Sequence, residues 1–249
     1  MIRTILTRIR QGHRTMQYPD GPPPRMPERF RGYPVVSSLA KAAIAAGGSA
    51  ACPYGALTSE DGGTLDMGKC LFCADCPAGN IEFSAGYQLA ATRRDDLLAH
   101  PGSEHHTVKQ LSAELLRMFG RSLKFREVSA GGCNACEADT NVLSTIGWDL
   151  GRFGIQFVAS PRHADGLWVT GPVSENMREA MLTTYEAIPA PKIVVACGAC
   201  AISGGPYHDH KEVHNGVDTF LPVDLYVPGC PPHPLTILDG LLRLIGRVG

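Results

Sequence analysis

Nine cysteines are the residues of this chain whose type and spacing point most clearly to chemistry. They are Cys52, Cys70, Cys73, Cys76, Cys133, Cys136, Cys197, Cys200 and Cys230. Two residues intervene between the cysteines at 70/73, 73/76, 133/136 and 197/200. Cysteines at this spacing are typical of metal sites in a reducing compartment. Buried apolar thiols, the alternative, would not repeat this spacing.

Composition narrows the classes of protein to consider. The chain has 249 residues, enough for one large domain or two modest ones with a buried core. With 44% hydrophobic residues and a net charge of −1, it is an ordinary globular chain without the basic field of a nucleic-acid-binding surface. No stretch approaches the roughly 20 apolar residues of a membrane-spanning helix, and the start lacks the apolar core of a secretory signal. We therefore expect a reducing compartment, where disulfides are rare.

The first cysteine group begins a motif that lacks its last member. In two-cluster bacterial ferredoxins, two copies of C-x2-C-x2-C-x3-C-P occur, and the fourth cysteine of each copy binds the other cluster. In "GKCLFCADCPAGNI" (68–81), Asn80 stands where the fourth cysteine would be. Cys52, followed by Pro53, is the tail of an earlier copy whose other positions hold Ala42, Ala45 and Gly48. One cluster has thus lost every ligand, and the other has lost none.

The cysteines that remain form one complete site of four thiolates: Cys52, Cys70, Cys73 and Cys76. Such a site fits one [4Fe–4S] cluster. Zinc is the alternative, although zinc ribbons usually pair two C-x2-C knuckles rather than three close cysteines and a distant one.

The second half of the chain, 123–249, alternates short apolar runs with helical patterns. We predict strands over 155–160, 166–171, 192–198 and 224–229, and helices over 174–188 and 233–248. Alternation of this kind predicts a parallel sheet that helices cover on both faces.

A second group of four cysteines follows the carboxyl ends of these strands: Cys133, Cys136, Cys200 and Cys230. In an open parallel sheet the carboxyl ends of the strands form the crevice where ligands bind. The sequence therefore predicts a second [4Fe–4S] cluster there. Cys197 is left over, and we interpret it as a small buried hydrophobe rather than a ligand.

Four motifs in this half resemble a known family: "GGCNACEAD", "FVASPRHADGLWVTGPV", "CGACAISGGPYHD" and "VDLYVPGCPP". They are similar to the small, electron-transfer subunit of membrane-associated [NiFe] hydrogenases of the formate hydrogenlyase type. That family is related to the 20 kDa subunit of complex I. The resemblance implies a flavodoxin-like fold and carries the family's cluster ligands over to Cys133, Cys136, Cys200 and Cys230.

Residues beside these ligands separate the branches of the family. Complex I subunits carry two adjacent cysteines at the first ligand pair, whereas this chain has C-x2-C followed by Glu137, the hydrogenase-like form. We expect Glu137 and Arg162 to tune the second cluster, since charge and hydrogen bonds near the sulfurs set its potential. A surface salt bridge is the alternative role for both.

The amino-terminal part resembles the ferredoxin-like subunit of the same complexes, through "YPDGPPPRMPERFRGYP" (18–34) and "LDMGKCLFCADCP" (65–77). That subunit is normally a separate chain with two clusters. Here the resemblance implies fusion ahead of the small subunit and reduction to one cluster.

We therefore divide the chain into four parts. These are a basic arm with a proline strap (1–34), a ferredoxin-like domain (35–88), a helical connector (89–122) and the flavodoxin-like domain (123–249). Apolar residues at helical spacing in 1–18 predict an amphipathic helix that docks on a membrane or a membrane partner. A solvated basic arm and an organellar transit peptide are the alternatives. In the connector, Val108, Leu111, Leu115 and Met118 predict one helical face that ends at Gly120.

The chain has no G-x-G-x-x-G loop after a strand and no G-x-S-x-G elbow, so we expect no bound dinucleotide and no nucleophilic serine. We expect an electron-transfer chain instead. The resemblance implies a large subunit with a nickel–iron centre, membrane subunits, a redox donor or acceptor protein, and a location on the cytoplasmic face of the inner membrane. The alternatives are the equivalent subunit of a nickel-free, quinone-linked oxidoreductase and a zinc-stabilised assembly module.

Overall fold

The computed structural model describes residues 2–12, 14–37, 52–59, 63–73, 75–76, 81–103 and 105–248. The strands are β1 (Pro34–Val36), β2 (Leu57–Thr58), β3 (Thr64–Asp66), β4 (Ile81–Phe83), β5 (Leu98–Ala99), β6 (Leu123–Ser129), β7 (Ile155–Phe157), β8 (Gly166–Thr170), β9 (Ile193–Cys197) and β10 (Leu225–Val227). The α-helices are α1 (Ile2–Gln11), α2 (Ala113–Phe119), α3 (Ala135–Val142), α4 (Glu175–Ala187), α5 (Ala199–Ser203) and α6 (Pro234–Leu244). Short 3₁₀ turns cover Arg94–Leu97, Leu150–Phe153, Pro161–His163, Gly205–Tyr207 and Val217–Thr219.

Five parallel strands form the central sheet, in the order β10–β9–β8–β6–β7. Read from the other edge, the first two strands of this domain are exchanged and the remaining three follow in chain order. This is the flavodoxin-like arrangement, in which the strand order reverses between the first and third strands. The prediction of a parallel, flavodoxin-like sheet is therefore confirmed.

Both faces of this sheet are covered, which explains why β9 is apolar throughout. In β9, Val194 and Ala196 belong to one core, which also holds Met181 of α4. Val195 and Cys197 belong to the other core, which holds the buried side chains of α6. Every residue of α6 is buried, so this helix is a central element and not a surface cover.

The first cysteine group lies among small antiparallel sheets. β1 pairs with β4, and β3 lies between β2 and β5. Leu65 and Met67 extend from this region into the core on the α4 face of the large sheet. Ala91, in the connector, then forms an antiparallel backbone bridge with Tyr226 of β10. The connector therefore pairs with the outer edge of the large sheet. The amino-terminal strands and the large sheet therefore share one apolar core.

The helix predicted in the connector is shorter than its sequence pattern suggests. Helix α2 begins only after Ser112, whose hydroxyl accepts a hydrogen bond from the amide of Leu115. The amide of Leu111 instead donates to the carbonyl of Leu244 at the end of α6, so the preceding segment runs extended. The predicted apolar face is consequently wrong at Met118, which is exposed, while Phe119 is buried. Among the described helices, none is both long and apolar enough to cross a membrane.

The proline strap is attached to α6 by a buried polar group. The hydroxyl of Tyr18 donates to Oδ1 of Asp239 at 2.6 Å, and Nε of Arg243 donates to Oδ2 of the same carboxylate at 2.9 Å. Burial, together with the carboxylate of Asp239, raises the pKa of Tyr18. Arg152 adds donors to the carbonyls of Met16 and Tyr18. These bonds hold the strap on the flavodoxin-like domain.

The Tyr18→Phe variant should lose about 1.5–3 kcal/mol of unfolding free energy, because a buried carboxylate then lacks one charge-assisted hydrogen bond. Anaerobic denaturant unfolding of the metal-loaded chain measures this loss. Tyr207→Phe is the matched control, since Tyr207 is exposed and its change should stay within about 0.5 kcal/mol. Equal stability of the two variants would show that the strap is not held by this group.

Candidate metal centres

The loop that carries the first cysteines is built on Asp66, the last residue of β3. The backbone carbonyl of Asp66 accepts from the amides of Lys69 and Cys70, at 3.1 and 2.9 Å. Its side chain accepts from the amide of Gly68 at 2.8 Å. Asp66 therefore holds three successive backbone amides, the last of which belongs to Cys70.

Arg94 fixes the orientation of that aspartate. Its guanidinium donates to both carboxylate oxygens of Asp66, at 2.8 and 2.6 Å, and both side chains are largely buried. A fork of two parallel bonds is the strongest geometry for such a pair. Sequence reasoning missed Arg94 because it lies 24 residues after Cys70, beyond any motif. The local sequence signal for this pair was Asp66 itself, an acidic residue in the turn before Cys70.

The sulfurs of the first group lie close enough to influence one another. Burial raises the pKa of Cys70 to about 12, and the thiolates of Cys76, Cys52 and Cys73 act in the same direction. Burial also raises the pKa of Cys76, followed by the effects of Cys73 and Cys52. The amide of Phe72 donates to Sγ of Cys70 at 3.3 Å. The structure thus brings the four predicted cysteines together. Ala42, Ala45, Gly48 and Asn80, on which the argument for a lost second cluster rests, lie outside the described residues.

The second group forms at the carboxyl ends of three strands of the large sheet. Cys133 lies in the turn after β6, and Cys136 lies in the first turn of α3. Cys200 is in α5, which follows β9, and Cys230 follows β10. Burial raises the pKa of Cys200 to about 12, and Cys230, Cys136 and Cys133 add to this effect. The structure therefore brings these four cysteines near one another at the carboxyl ends of the strands.

Two glycines allow the backbone to approach these sulfurs. A Cβ at Gly198 would lie 2.5 Å from Sγ of Cys136, and one at Gly205 would lie 2.8 Å from Sγ of Cys200. Both glycines have a positive φ, which side chains with a Cβ rarely adopt. The glycine-rich sequence around Cys200 is therefore a steric requirement of this site.

Glu137 anchors the turn that holds Cys133 and Cys136. Its side chain is buried and accepts from the hydroxyls of Ser129 and Thr170, the latter at 2.7 Å. These hydroxyls belong to the last residues of β6 and β8. Glu137 is thus fixed between the ends of two strands, next to the predicted ligand Cys136. Because it is buried, it does not form the surface salt bridge that was the alternative role for it.

Arg162 and Cys197 lie in different surroundings. Arg162 is exposed and lies on the loop between β7 and β8. The two ends of this loop donate hydrogen bonds to the carbonyls of Phe125 and Lys124, in the first half of β6. Cys133, in contrast, follows the other end of β6. The structure does not bring Arg162 to the four cysteines. Cys197 is fully buried in the core of the α6 face and lies against Cys136.

Each of the two groups offers four thiol side chains as ligands. Within the described ranges, no three His, Cys, Asp or Glu side chains lie as close together as the ligands of one metal ion. Soft thiolates are also the ligands that iron–sulfur clusters use. Because burial keeps Cys70 and Cys200 protonated at neutral pH, a metal bound there would have to displace these protons.

The two groups meet at a buried contact. The hydroxyl of Ser203, three residues after Cys200, donates to the carbonyl of Gly68, two residues before Cys70, at 2.9 Å. A Cβ at Gly68 would lie 2.7 Å from Ile202, so the loop and α5 are in direct van der Waals contact. Leu71 and Phe72 also share with Cys230 a cavity of about 240 Å³. Sequence reasoning did not anticipate this junction.

Glu127 is a half-buried carboxyl group that sequence reasoning missed. It lies on β6, and its Oε1 is buried without a hydrogen-bond partner. Burial raises its pKa from 4.5 to about 7, and the carboxylate of Glu137 adds to the shift. Alternation along β6 supplied no signal for it, because charged residues in a strand are ordinarily placed on the solvent side.

The raised pKa of Glu127 predicts a pH-dependent stability. Between pH 4.5 and about 7 the unfolded chain loses this proton before the folded chain does, so stability falls as pH rises through that window. We compare the unfolding free energy of Glu127→Gln with that of wild type at each pH. The difference should favour the variant by about 1–2 kcal/mol more at pH 8 than at pH 5, a range that allows for solvent screening of this partly exposed group. Anaerobic unfolding at both pH values measures the difference. The exposed Glu186→Gln control should follow wild type, and a Glu127→Gln variant that also does so would contradict the assignment.

Comparison with known proteins places the chain in a family. Residues 133–244 match the family model described as NADH ubiquinone oxidoreductase, 20 Kd subunit. The chain is 41% identical over 146 residues to the probable membrane-bound hydrogenase subunit mbhJ of Pyrococcus furiosus, covering 59% of this chain and 87% of that protein. It is 41% identical over 146 residues to formate hydrogenlyase subunit 7 of Escherichia coli, of which it spans 57%.

A relative from the complex I branch is similarly close. An NADH-quinone oxidoreductase subunit of Clostridium beijerinckii is 45% identical over 118 residues, covering 47% of this chain and 70% of that protein. The predicted resemblance to hydrogenase and complex I subunits is thereby confirmed. The chain belongs to the family of the 20 kDa subunit of NADH ubiquinone oxidoreductase and related membrane-bound hydrogenases, a family of oxidoreductase-complex subunits.

Proposed function

We propose that this chain relays electrons between two [4Fe–4S] clusters within a membrane-associated oxidoreductase complex. Cys52, Cys70, Cys73 and Cys76 would hold the first cluster, and Cys133, Cys136, Cys200 and Cys230 the second. When bound, such clusters supply one-electron redox chemistry. The single observation that carries the proposal is the contact between Ser203 and Gly68, since it joins the loop of one site to the helix of the other.

The junction supports a short route for electrons. Cys200 and Ser203 lie on the same short helix, and Gly68 and Cys70 lie in the same turn. The hydrogen bond between them is buried, so no solvent layer separates the two loops. The chain's part in transfer is to hold the sulfurs in place and to exclude water between them.

The neighbouring side chains would set the potentials. The amide of Phe72 donates to the sulfur of Cys70, and hydrogen bonds of this kind stabilise the more negative, reduced state of a cluster. Glu137 is buried beside Cys136, and we assign it as a positioning residue that holds the first ligand turn of the second site. For Arg162 the proposed tuning role has only charge to support it, because the residue is exposed and lies on the loop near the start of β6.

The partner that fits best is a [NiFe]-hydrogenase-type large subunit. Support comes from the relatives named as hydrogenase and formate hydrogenlyase subunits, and from the two residues between Cys133 and Cys136. Both Cys133 and Cys230 are exposed, so the second site lies at a surface where such a subunit can dock. Membrane subunits and a redox donor or acceptor protein would complete the complex, on the cytoplasmic face of the inner membrane.

The second candidate is the equivalent subunit of a nickel-free, quinone-linked complex. The relative from Clostridium beijerinckii, named as an NADH-quinone oxidoreductase subunit, favours it. Metal analysis of the intact complex, purified anaerobically from membranes, separates the two candidates. Nickel near one per complex supports the hydrogenase assignment, whereas iron without nickel supports the quinone-linked one. Zinc in place of iron would overturn both.

We further propose the domain organisation of a fused relay: a strap (1–34), a ferredoxin-like unit (35–88), a connector (89–122) and the flavodoxin-like domain (123–249). The antiparallel pairing of β1 with β4 across the first cysteine group supports the ferredoxin-like unit. The connector's bridge from Ala91 to Tyr226 supports its role in joining the two units.

Replacement of single cysteines tests the two ligand sets separately. The wild-type chain should contain about eight iron atoms, and the Cys52→Ser and Cys200→Ser variants should each contain about four. Each variant should retain the low-temperature EPR spectrum of one reduced cluster, and the two spectra should differ. Iron and acid-labile sulfide analysis of the anaerobic proteins measures the loss.

Cys197→Ser is the matched control, because Cys197 is buried beside the second site but is not assigned as a ligand. It should keep about eight iron atoms. A loss of about four in this variant would show that Cys197 is a ligand, and an unchanged content in Cys52→Ser would show that the first site does not use the distant cysteine.

The Gly198→Ala variant tests the close approach of backbone to sulfur. The new Cβ would overlap Sγ of Cys136, and the positive φ is unfavourable for alanine. We expect iron to fall from about eight to about four, with the first cluster's EPR spectrum retained. Gly147→Ala is the control, because nothing lies within 4 Å of its added Cβ and its φ is not positive. Full iron content in Gly198→Ala would contradict the packing described for the second site.

A further inference from the structure

Helix α1 presents an apolar face that the rest of the described chain does not cover. Its apolar residues recur at helical spacing and are all exposed, with Ile2 at 76% and Ile9 at 72%. No residue of α1 is buried. The members of this face are Ile2, Ile5, Leu6 and Ile9. Large apolar residues that cluster in this way on a surface mark an interaction site.

Charge is arranged around this face in a specific way. With about 100° between successive residues, Arg3 and Arg10 fall beside one edge of the apolar face and Arg8 falls beside the other. The uncharged residues Thr4, Thr7 and Gln11 occupy the opposite side. No acidic residue occurs before Asp20. Arginines on both edges of an apolar face can extend to headgroup level while their stems lie along the apolar side chains.

The end of α1 is anchored on the flavodoxin-like domain, next to another exposed apolar residue. The hydroxyl of Thr15 donates to the carbonyl of Ile146 at 2.8 Å, and the amide of Met16 donates to that of Gly147 at 3.0 Å. Ile146 is 70% exposed and lines the same small cavity as Arg8. The segment after α1 is therefore tied to the flavodoxin-like domain. Ile146 faces the side of the helix that carries Arg8 and Gln11, so the apolar face of α1 points away from this contact.

We propose that α1 is a membrane-surface anchor that binds a bilayer containing anionic lipids. The apolar face would lie at the boundary between headgroups and acyl chains, and Arg3, Arg8 and Arg10 would contact lipid phosphates. A groove on a protein subunit is the competing occupant. The arginines favour lipid, because they flank the apolar face on both sides, as a planar anionic surface requires, and no acidic partner accompanies them on the helix.

Flotation of the full, metal-loaded chain with lipid vesicles tests this proposal. The chain should float with vesicles of phosphatidylcholine mixed with phosphatidylglycerol, and should bind vesicles of phosphatidylcholine alone at least tenfold more weakly. Added salt should weaken the binding to the mixed vesicles, since it screens the exposed charges. Failure to float with either vesicle, or equal binding to both, would overturn the proposal and point to a protein partner.

Variants separate the two parts of the surface. Replacement of Arg8 and Arg10 by glutamine should weaken binding about fivefold for each arginine removed. Replacement of Ile5 and Ile9 by serine should weaken it at least tenfold. The control Thr7→Gln lies on the opposite side and should bind like wild type. Unchanged binding in both the arginine and the isoleucine variants would also overturn the proposal.

Iron content keeps this test independent of the electron-relay proposal. All variants should retain about eight iron atoms, because every residue of α1 is exposed and none of them is a predicted ligand. A chain that floats with the vesicles but lacks iron would contradict the electron relay and support the membrane anchor. An iron-loaded chain that does not float would contradict the membrane anchor and leave the electron relay supported.

Discussion

The buried contact between the loop before Cys70 and the helix after Cys200 is the constraint on which the rest of the structure depends. The carbonyl of Gly68 accepts from Ser203, and there is no room for a side chain at Gly68 between Ile202 and Arg94. This contact can form only if the first cysteine loop is rigid and α5 is positioned by the sheet. Asp66 and Arg94 satisfy the first condition, and the parallel register of β8 and β9 satisfies the second. The two cysteine groups are therefore parts of one packed unit.

Desolvation is the cost of this arrangement. Cys70 and Cys200 are held where burial raises their pKa to about 12, so neither is a thiolate at neutral pH without a metal. Glu137 adds a buried carboxyl group behind the second site, and Glu127 adds a half-buried one. Binding of the proposed clusters would compensate for the buried thiols, because their iron ions would stabilise the thiolates. Folding and cluster binding should therefore be strongly coupled in this chain.

The sequence predicted the parts of the fold that follow from local pattern. Apolar runs such as "KIVVACG" and helical patterns such as 174–188 sufficed for the flavodoxin-like sheet, and the strand ends sufficed to group Cys133 with Cys200 and Cys230. The connector helix was predicted too long, because a hydrogen bond from Leu111 to Leu244 and the cap at Ser112 override the pattern. The partners of Asp66 and Gly68 were not predictable, since Arg94 and Ser203 lie 28 and 135 residues away. Contacts at such distances leave no local pattern in a single sequence.

We propose that two clusters lie close together across the Gly68–Ser203 contact and exchange electrons. Low-temperature EPR of the fully reduced, anaerobic chain can detect this proximity, because two nearby paramagnetic clusters broaden or split each other's signals. We predict a spectrum with such interaction that no sum of the two single-cluster spectra reproduces. A spectrum equal to that sum, or a single cluster at full reduction, would contradict the claim.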